Sequence, residues 1–181
     1  MILSFSTQLN GKPTYFPEKI IAGLFENEIL TFGISCELLE QYVNKVDASL
    51  LYNKLHTPVY KGYSKIHTIR EDKTSRWKSG MMIDFFINAR QKNMFCFAPR
   101  IQVTSIQNIE IKFMSIWNSH GLYAKPFVKI DGTIIYDVAG NGKEKMLQLA
   151  VNDGFESIDD FFSYFNKDFK GKIIHWTGFK Y

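Results

Sequence analysis

The chain has 181 residues and a formal net charge of +4, with 22 Lys and Arg against 18 Asp and Glu. A domain of this size buries roughly 70% of its unfolded surface, so it needs neither a disulfide framework nor a structural metal to fold. Its two cysteines, Cys36 and Cys96, are far apart and indicate reduced thiols. The N-terminus lacks a basic segment followed by an apolar run, and no apolar stretch is long enough to span a membrane. We therefore expect a soluble, cytoplasmic protein.

The first third of the chain predicts a strand followed by helices. Residues 2–6 have the character of a strand, and the segment 16–24 is helix-like, with Pro17 in the first turn, where proline is tolerated. Residues 35–55 form a helical apolar stripe, with Ser35 as its expected N-cap. The stripe consists of Leu38, Leu39, Tyr42, Val43, Val46, Leu50 and Leu51.

A short hexapeptide, residues 65–70 (Lys-Ile-His-Thr-Ile-Arg), combines apolar and chemically active side chains. If the two isoleucines turn inward, Lys65, Thr68 and Arg70 are presented together. An amine beside a hydroxyl is a candidate activated nucleophile. The same groups with an arginine also suit the recognition of phosphate or nucleobases.

The following region predicts a polar loop and several strands. The loop covers 71–80, a strand with alternating apolar residues covers 83–88, and a long β segment covers 94–115 with a break near Pro99. Asp131-Gly132, between alternating apolar residues, predicts a two-residue hairpin turn.

The last forty residues contain helix boundaries with clear local chemistry. A Gly-Asn-Gly turn at 140–142 precedes a helix over 143–152, after which Gly154 fits a left-handed stop. Ser157, with Asp160 three residues later, predicts the cap of the next helix. A closing strand covers 172–176.

Positive charge is concentrated in the middle of the sequence. Residues 61–100 carry nine Lys and Arg against three acidic residues, whereas residues 1–60 carry four against six and residues 101–181 nine against nine. A basic surface centred on the hexapeptide would attract ligands that bear phosphate. A solvated mixed surface explains the same composition.

The order of these elements resembles the ASCH domain, a family of the PUA-like superfamily. The resemblance covers residues 1–24 and 61–181: an opening strand and helix, a Lys-x-x-Thr-x-Arg segment at 65–70, barrel strands, an acidic corner at 152–155, a helix and a closing strand. It implies an α+β fold, a small and mostly antiparallel PUA-like β-barrel with flanking helices. The whole chain, 1–181, would be a single domain, with residues 25–60 as a helical insertion.

Some members of the family are amidohydrolases that remove the acetyl group from N4-acetylcytidine with a lysine, a threonine and a glutamate. Carried over by position, the resemblance assigns catalytic roles to Lys65, Thr68 and Asp153. Asp153 departs from the glutamate and is shorter by about 1.5 Å, which matters for proton transfer unless the backbone compensates. Glu156 is a second carboxylate nearby.

Catalysis by Thr68 needs a base, and Lys65 can serve only if its neutral form is populated near pH 7. That requires its pKa to fall by about 3 units from the reference value of ~10.4. Burial and Arg70 favour the fall, and Asp153 opposes it. Alternatively, charged Lys65 stabilises an oxyanion while Asp153 handles protons.

Further candidates bind substrate rather than react with it. Arg70, Arg76 and Trp77 are the expected substrate-binding residues, with Trp77 either stacking a base or filling one end of the barrel. The four histidines, His56, His67, His120 and His175, have no paired ligand spacing, so we expect no metal and no cofactor.

The leading functional prediction is recognition of RNA or a modified nucleoside in a basic cleft, with hydrolysis of an N4-acylated cytidine as its sharper form. The alternatives are a non-catalytic RNA-binding module and a protein-interaction domain that acts through the 25–60 insert. No membrane partner is expected. Exposed strand-edge charges are the purely structural explanation of the hexapeptide.

Overall fold

A computed structural model describes residues 1–9, 11–43, 64–118 and 121–181 of the chain. Within them the fold is α+β, with ten strands and four helices. The strands are β1 (Ile2–Phe5), β2 (Gln8–Leu9), β3 (Lys12–Pro13), β4 (His67–Arg70), β5 (Met82–Ile87), β6 (Phe95–Gln102), β7 (Ser105–Asn118), β8 (Gly121–Ile130), β9 (Thr133–Tyr136) and β10 (Phe169–His175). The helices are α1 (Phe16–Glu26), α2 (Phe32–Val43), α3 (Lys143–Asn152) and α4 (Ile158–Tyr164).

Strand pairing produces two main sheets and one short ribbon. One sheet has the order β1-β5-β6, the other β4-β10-β7-β8-β9, and β2 pairs with β3. The β1–β5 pair is parallel, and the other pairs are antiparallel. Over the described residues these pairings do not close into a barrel.

Each main sheet has its own apolar core. The three-stranded sheet packs against α1 around Phe5 and Phe85, and Trp176 completes this first core from the segment after β10. The five-stranded sheet packs one face against α3 and α4 around Ile111 and Phe161. Strand β4 is the edge of the five-stranded sheet, and it lies between the two cores.

Several local predictions are confirmed. Pro17 lies in the first turn of α1, and Ile130 pairs with Thr133 across an Asp131-Gly132 turn. Asp131 and Gly132 have φ values of 47° and 85°, both positive as a type I′ turn requires. The Ser157 hydroxyl accepts a hydrogen bond from the backbone N–H of Asp160 at 3.0 Å, as a helix cap does.

Two boundary predictions are wrong. Helix α2 begins at Phe32, so Ser35 lies inside it and donates its hydroxyl to the carbonyl of Thr31 at 2.9 Å. The β segment is interrupted at 103–104 and not at Pro99, which lies within β6. The register of the β5–β6 pair shifts beside Pro99, and such a bulge tolerates proline in a strand.

The predicted insert 25–60 is described only in part. Helix α2 contacts α1 and β6, and Leu38 packs against the first core. Residues 44–63, with the rest of the predicted stripe, lie outside the described residues. No helix in the described part of the chain combines the length and the apolar character needed to cross a bilayer.

Candidate functional site

The segment before β4 is fixed between two helices. The backbone N–H of Lys65 donates to the carbonyl of Lys19 in α1 at 2.9 Å, and that of Ile66 donates to Asn152 at the end of α3 at 3.0 Å. A Cβ atom at Gly23 would lie 2.8 Å from the Lys65 carbonyl oxygen. Only glycine allows so close an approach of α1 to this strand.

Asp153 is brought to the same place by the end of α3. The N–H of Gly154 donates to Val151 at 2.8 Å, and that of Phe155 donates to Ala150 at 2.9 Å. These are the paired bonds of a Schellman motif, and Gly154 has the positive φ (92°) that the motif needs. The predicted glycine stop is thereby confirmed, and it sets the position of the Asp153 carboxylate.

Lys65 and Asp153 form a buried ion pair. Lys65 Nζ lies 2.5 Å from Asp153 Oδ1, and the two side chains are 2% and 5% exposed. Lys65 also donates to the backbone carbonyl of Asp153. The carboxylate accepts a further hydrogen bond from the N–H of Ile69 at 3.2 Å, on the edge of β4 that does not face β10. The shorter side chain of Asp153 therefore still reaches the lysine.

Burial dominates the electrostatics of this pair. Burial, with smaller contributions from Arg70 and Lys19, lowers the pKa of Lys65 to about 8, although Asp153 acts in the opposite direction. Burial also raises the pKa of Asp153, against the influence of Lys65 and Arg70. Both shifts favour the neutral forms and narrow the difference between the pKa values of the two groups.

Arg70 lies close to the pair. Its guanidinium is 5.3 Å from the centroid of Phe5, and Lys65 Nζ is 5.9 Å from the same ring. One of its terminal nitrogens donates to the carbonyl of Ser4 at 2.7 Å, whereas Nε is buried and has no hydrogen-bond partner. Arg70 thus retains a buried donor near the Lys65–Asp153 pair.

Thr68 projects from the same face of β4 as Arg70, because side chains two residues apart share a face of a strand. It is opposite Ile174 of β10, which belongs to the first core, and only 3% of it is exposed. Its hydroxyl makes no hydrogen bond within the described part of the chain. Thr68 is therefore buried near the first core, and no hydrogen bond joins its hydroxyl to Lys65.

A cavity of about 180 Å³ lies next to the pair, lined by residues that include Phe16, Gly154, Phe155 and Tyr164. Phe16 is shared by the two places, since it lines the cavity and its ring centroid lies 4.8 Å from Lys65 Nζ. Lys19 at the cavity wall donates to the carbonyl of Gly154 at 2.8 Å.

A cluster of His67, His175 and Tyr181 lies on the other face of β4, and the sequence did not indicate it. His67 Nε2 is hydrogen-bonded to the Tyr181 hydroxyl at 2.8 Å, and its Nδ1 is 3.8 Å from Asp153 Oδ1. Burial lowers the pKa of His67 well below its usual value and that of His175 to about 4. Both imidazoles are therefore neutral at pH 7.

The other predicted binding residues lie apart from this centre. Trp77 is 7% exposed and packs in the first core, so its ring does not form an open stacking surface. Arg76 is largely exposed and lies 3.8 Å from Asp72. Glu156 is exposed at the wall of the cavity. We leave Arg76 and Trp77 out of the site.

Metal ligation has no candidate in the described ranges, where no group of three or more His, Cys, Asp or Glu side chains is arranged around a common point. His56 and His120 lie outside those ranges. Comparison of the chain with protein-family models, with curated proteins and with solved structures gave no match. The ASCH resemblance therefore rests on the residues quoted for it.

Proposed function

We propose that the chain recognises RNA or a modified nucleoside and hydrolyses the amide of an N4-acylated cytidine with Lys65, Thr68 and Asp153. The observation that carries the proposal is the buried contact of 2.5 Å between Lys65 Nζ and Asp153 Oδ1, next to Arg70. It pairs the amine and the acid to which the ASCH-like pattern gives a role. A perturbed pKa at a buried pair beside a cavity is typical of catalytic groups.

In the proposed reaction, neutral Lys65 accepts the proton of the Thr68 hydroxyl while Thr68 Oγ1 attacks the acyl carbonyl. The pKa of about 8 leaves about one tenth of Lys65 neutral at pH 7. The proton then passes to the departing N4 amine of cytidine, and water releases the acyl group from Thr68. Asp153 orients the lysine and exchanges its proton, while Arg70 stabilises the oxyanion.

The ring of Phe16 controls access in this proposal. The ring lines the cavity and lies 4.8 Å from Lys65 Nζ, and 180 Å³ is smaller than the roughly 300–1,000 Å³ of typical ligand pockets. Displacement of the ring would enlarge the cavity and expose the amine. We also propose that the two main sheets correspond to an open form of the PUA-like barrel.

Turnover of N4-acetylcytidine, followed by chromatography of released cytidine between pH 6 and 9, tests the proposal. The rate should rise with pH and level off above about 8, because the reactive form of Lys65 is the deprotonated one. A rate that falls through the same range would assign Lys65 the role of charged oxyanion donor. Absence of turnover at high protein concentration would exclude the hydrolase activity.

The nucleophile is tested by Thr68→Ala with Thr68→Ser as its matched control. The alanine variant should lose at least about 100-fold in rate, whereas serine keeps the hydroxyl and should retain measurable activity. Urea unfolding of both variants checks that the fold is intact. Equal activity of the alanine variant and the wild type would exclude Thr68 as nucleophile.

A non-catalytic nucleoside-binding module is the second candidate, and the burial of Thr68 and Lys65 favours it. It predicts binding of N4-acetylcytidine, measured by calorimetry, without any release of cytidine. An interaction domain acting through residues 25–60 stays a prediction, because 44–63 lie outside the described residues. Deleting 25–60 should then abolish capture of a partner without affecting nucleoside binding.

A further inference from the structure

The five-stranded sheet has one face that is open beyond the first core. In the β7–β8 pair, Lys112 is opposite Phe127, Met114 is opposite Lys125, and Ile116 is opposite Tyr123. The alternate residues, such as Ile111 and Val128, are buried against the helices. Since side chains alternate between the faces of a sheet, the first set lies on the outer face, which we call the outer lysine face.

Positive charge dominates the outer lysine face. Lys112, Lys125 and Lys129 come from β7 and β8, and Lys170 of β10 is in register with Glu110 of β7. Glu110 lies 3.0 Å from Lys170 and 3.7 Å from Lys112, and it is the one acidic side chain among the β7, β8 and β10 residues of this face. Lys170 is 75% exposed and Lys112 is 48% exposed.

Aromatic rings alternate with these lysines. Lys125 Nζ lies 5.7 Å from the centroid of Tyr123, and Lys129 Nζ lies 5.1 Å from that of Phe127. Both rings are partly exposed. The lysines are flexible, and a cation–π contact at an exposed site is weaker than the stacking of a nucleobase on the same ring. A base can therefore displace each ammonium toward a phosphate.

A groove of about 440 Å³ continues from the face along the sheet. Four lysines contribute to its walls, Lys73, Lys129, Lys170 and Lys172, together with three acidic residues, Glu71, Asp72 and Glu110. Each acid already has a partner: Glu71 lies 3.1 Å from Lys73, Glu110 lies 3.0 Å from Lys170, and Asp72 accepts hydrogen bonds from two backbone N–H groups. The groove gives an extended nucleic-acid strand a path toward the edge of the sheet. At that edge Lys172 of β10 is in register with Arg70 of β4.

We propose that the outer lysine face binds single-stranded RNA, with its lysines on the phosphates and Tyr123 and Phe127 stacked on unpaired bases. Interleaved cations and aromatic rings on an open sheet fit this ligand, because a duplex hides its bases and an acidic peptide has none. The choice of RNA as the ligand rests on the proposed function. The contacts to phosphate and base are argued from the lysines and rings of this face alone. Lys112, Lys125 and Lys129 lie on β7 and β8, two and three strands away from Thr68 on β4, so binding there does not require hydrolysis.

Fluorescence anisotropy with a labelled 20-nucleotide RNA of mixed, unstructured sequence tests the charge contribution. A triple variant, Lys112→Gln with Lys125→Gln and Lys129→Gln, should bind at least about tenfold more weakly at 0.1 M salt. The slope of log K against log salt should become shallower by about 2, the value for three lost single-strand phosphate contacts. Unfolding curves confirm that each variant is folded.

The matched control removes three exposed lysines elsewhere, Lys143→Gln with Lys145→Gln and Lys167→Gln. It has the same net charge as the first triple variant, and its affinity should stay within about threefold of the wild type. Equal weakening by both triple variants would show that only bulk charge matters and would overturn the proposal.

Stacking is tested separately by Phe127→Leu and Tyr123→Leu, which keep an apolar side chain and remove the ring. Each should weaken RNA binding by about fivefold or more without changing the salt slope. Duplex RNA or poly-glutamate that competes as well as the single strand would overturn the proposal, as would no binding by the wild type. Thr68→Ala should keep full RNA affinity, so failure of the hydrolase and failure of this face are distinguishable.

Discussion

The charges of Lys65 and Asp153 compensate each other at a buried site where neither side chain is hydrated. Their contact of 2.5 Å and exposures of 2% and 5% mean that removing one partner leaves an uncompensated buried group. Removal of one partner of such a pair costs about 3–5 kcal/mol. At the scale of single residues, the pair is therefore both the main chemical feature and a sensitive point for stability.

The two single variants should respond to pH in opposite ways. In Lys65→Met the pKa of Asp153, already raised, rises further, so the folded state binds more protons than the unfolded state, and the free energy of unfolding falls as pH rises. In Asp153→Asn the pKa of Lys65 falls below about 8 and the folded state binds fewer protons. Its free energy of unfolding should then rise with pH toward 10.5.

Urea unfolding at pH 5, 7 and 9 measures both slopes. The exposed pair Glu71 and Lys73 provides the control, because Glu71→Gln and Lys73→Met should each change stability by less than about 0.5 kcal/mol. Parallel pH curves for Lys65→Met and Asp153→Asn would contradict a buried coupled pair.

Asp153→Glu tests whether the backbone has adapted to the shorter acid. The carboxylate already reaches Lys65, so an added methylene overpacks a buried site and should destabilise by about 1–3 kcal/mol. Asp159→Glu, at an exposed position, serves as the control. It should shift the unfolding midpoint no more than other surface substitutions do. A more stable Asp153→Glu would show that the site was built for glutamate.

At the scale of elements, the end of α3 is what holds Asp153 in place. Gly154 has a φ of 92°, and a Cβ atom there would lie 2.9 Å from the Phe16 ring. The same glycine therefore meets two demands, the left-handed stop of the helix and the close approach of Phe16. Any side chain at this position shifts the acid, the Phe16 ring or the stem of Lys65, which would lie 3.2 Å from the added Cβ.

Gly154→Ala should be more destabilising than Gly132→Ala. Gly132 has a similar φ of 85° but nothing within 4 Å of a Cβ atom, so it reports the left-handed backbone alone, a cost of about 1–2 kcal/mol. The crowding at Gly154 adds about 1–3 kcal/mol for overpacking. Equal midpoints in thermal unfolding would mean that Phe16 moves away freely.

At the scale of the whole molecule, the five-stranded sheet separates two kinds of chemistry. Its inner face carries the second core and the buried cluster of His67, His175 and Tyr181, and its outer face carries lysines and rings. Residues 101–181 contain equal numbers of acidic and basic residues, yet the fold places several lysines together on the outer face. The charge pattern of the surface thus differs from that of the sequence.

The buried histidines should make the whole fold sensitive to acid. The unfolded chain binds protons with a pKa near 6.5, whereas burial lowers the pKa of folded His175 to about 4. Between these values the unfolded state binds more protons, so the free energy of unfolding rises with pH, by up to about 1.4 kcal/mol per pH unit for each histidine. Stability should therefore drop from pH 7 to pH 5.

His175→Leu isolates this effect, because neither ring nitrogen of His175 has a hydrogen-bond partner to lose. The difference between variant and wild-type slopes should correspond to about 0.7 proton on average over pH 5–7 and approach one proton near pH 5. Other titrating groups cancel in that difference. Identical slopes would place the titration outside His175.

Features governed by neighbours in the chain were predictable from the sequence. The Asp131-Gly132 turn, the Gly154 stop and the Ser157 cap each depend on a few adjacent residues, and all three are confirmed. Ser35 was misplaced because Thr31, four residues earlier, lies just before the first turn of α2. Pro99 was misplaced because a bulge, which needs a partner strand, accommodates it.

Tertiary structure decided everything that depends on burial. Lys65 and Asp153 are separated by 88 positions, and the competition between burial and opposite charge for the pKa of Lys65 could be settled only once both were enclosed. Trp77 likewise joined a core, although its basic neighbours suggested a surface. The sequence by itself determined which reactive side chains exist and how the chain turns between elements. Solvation and long-range contacts, which have no local signature, determined which of those side chains meet and which charge state they hold.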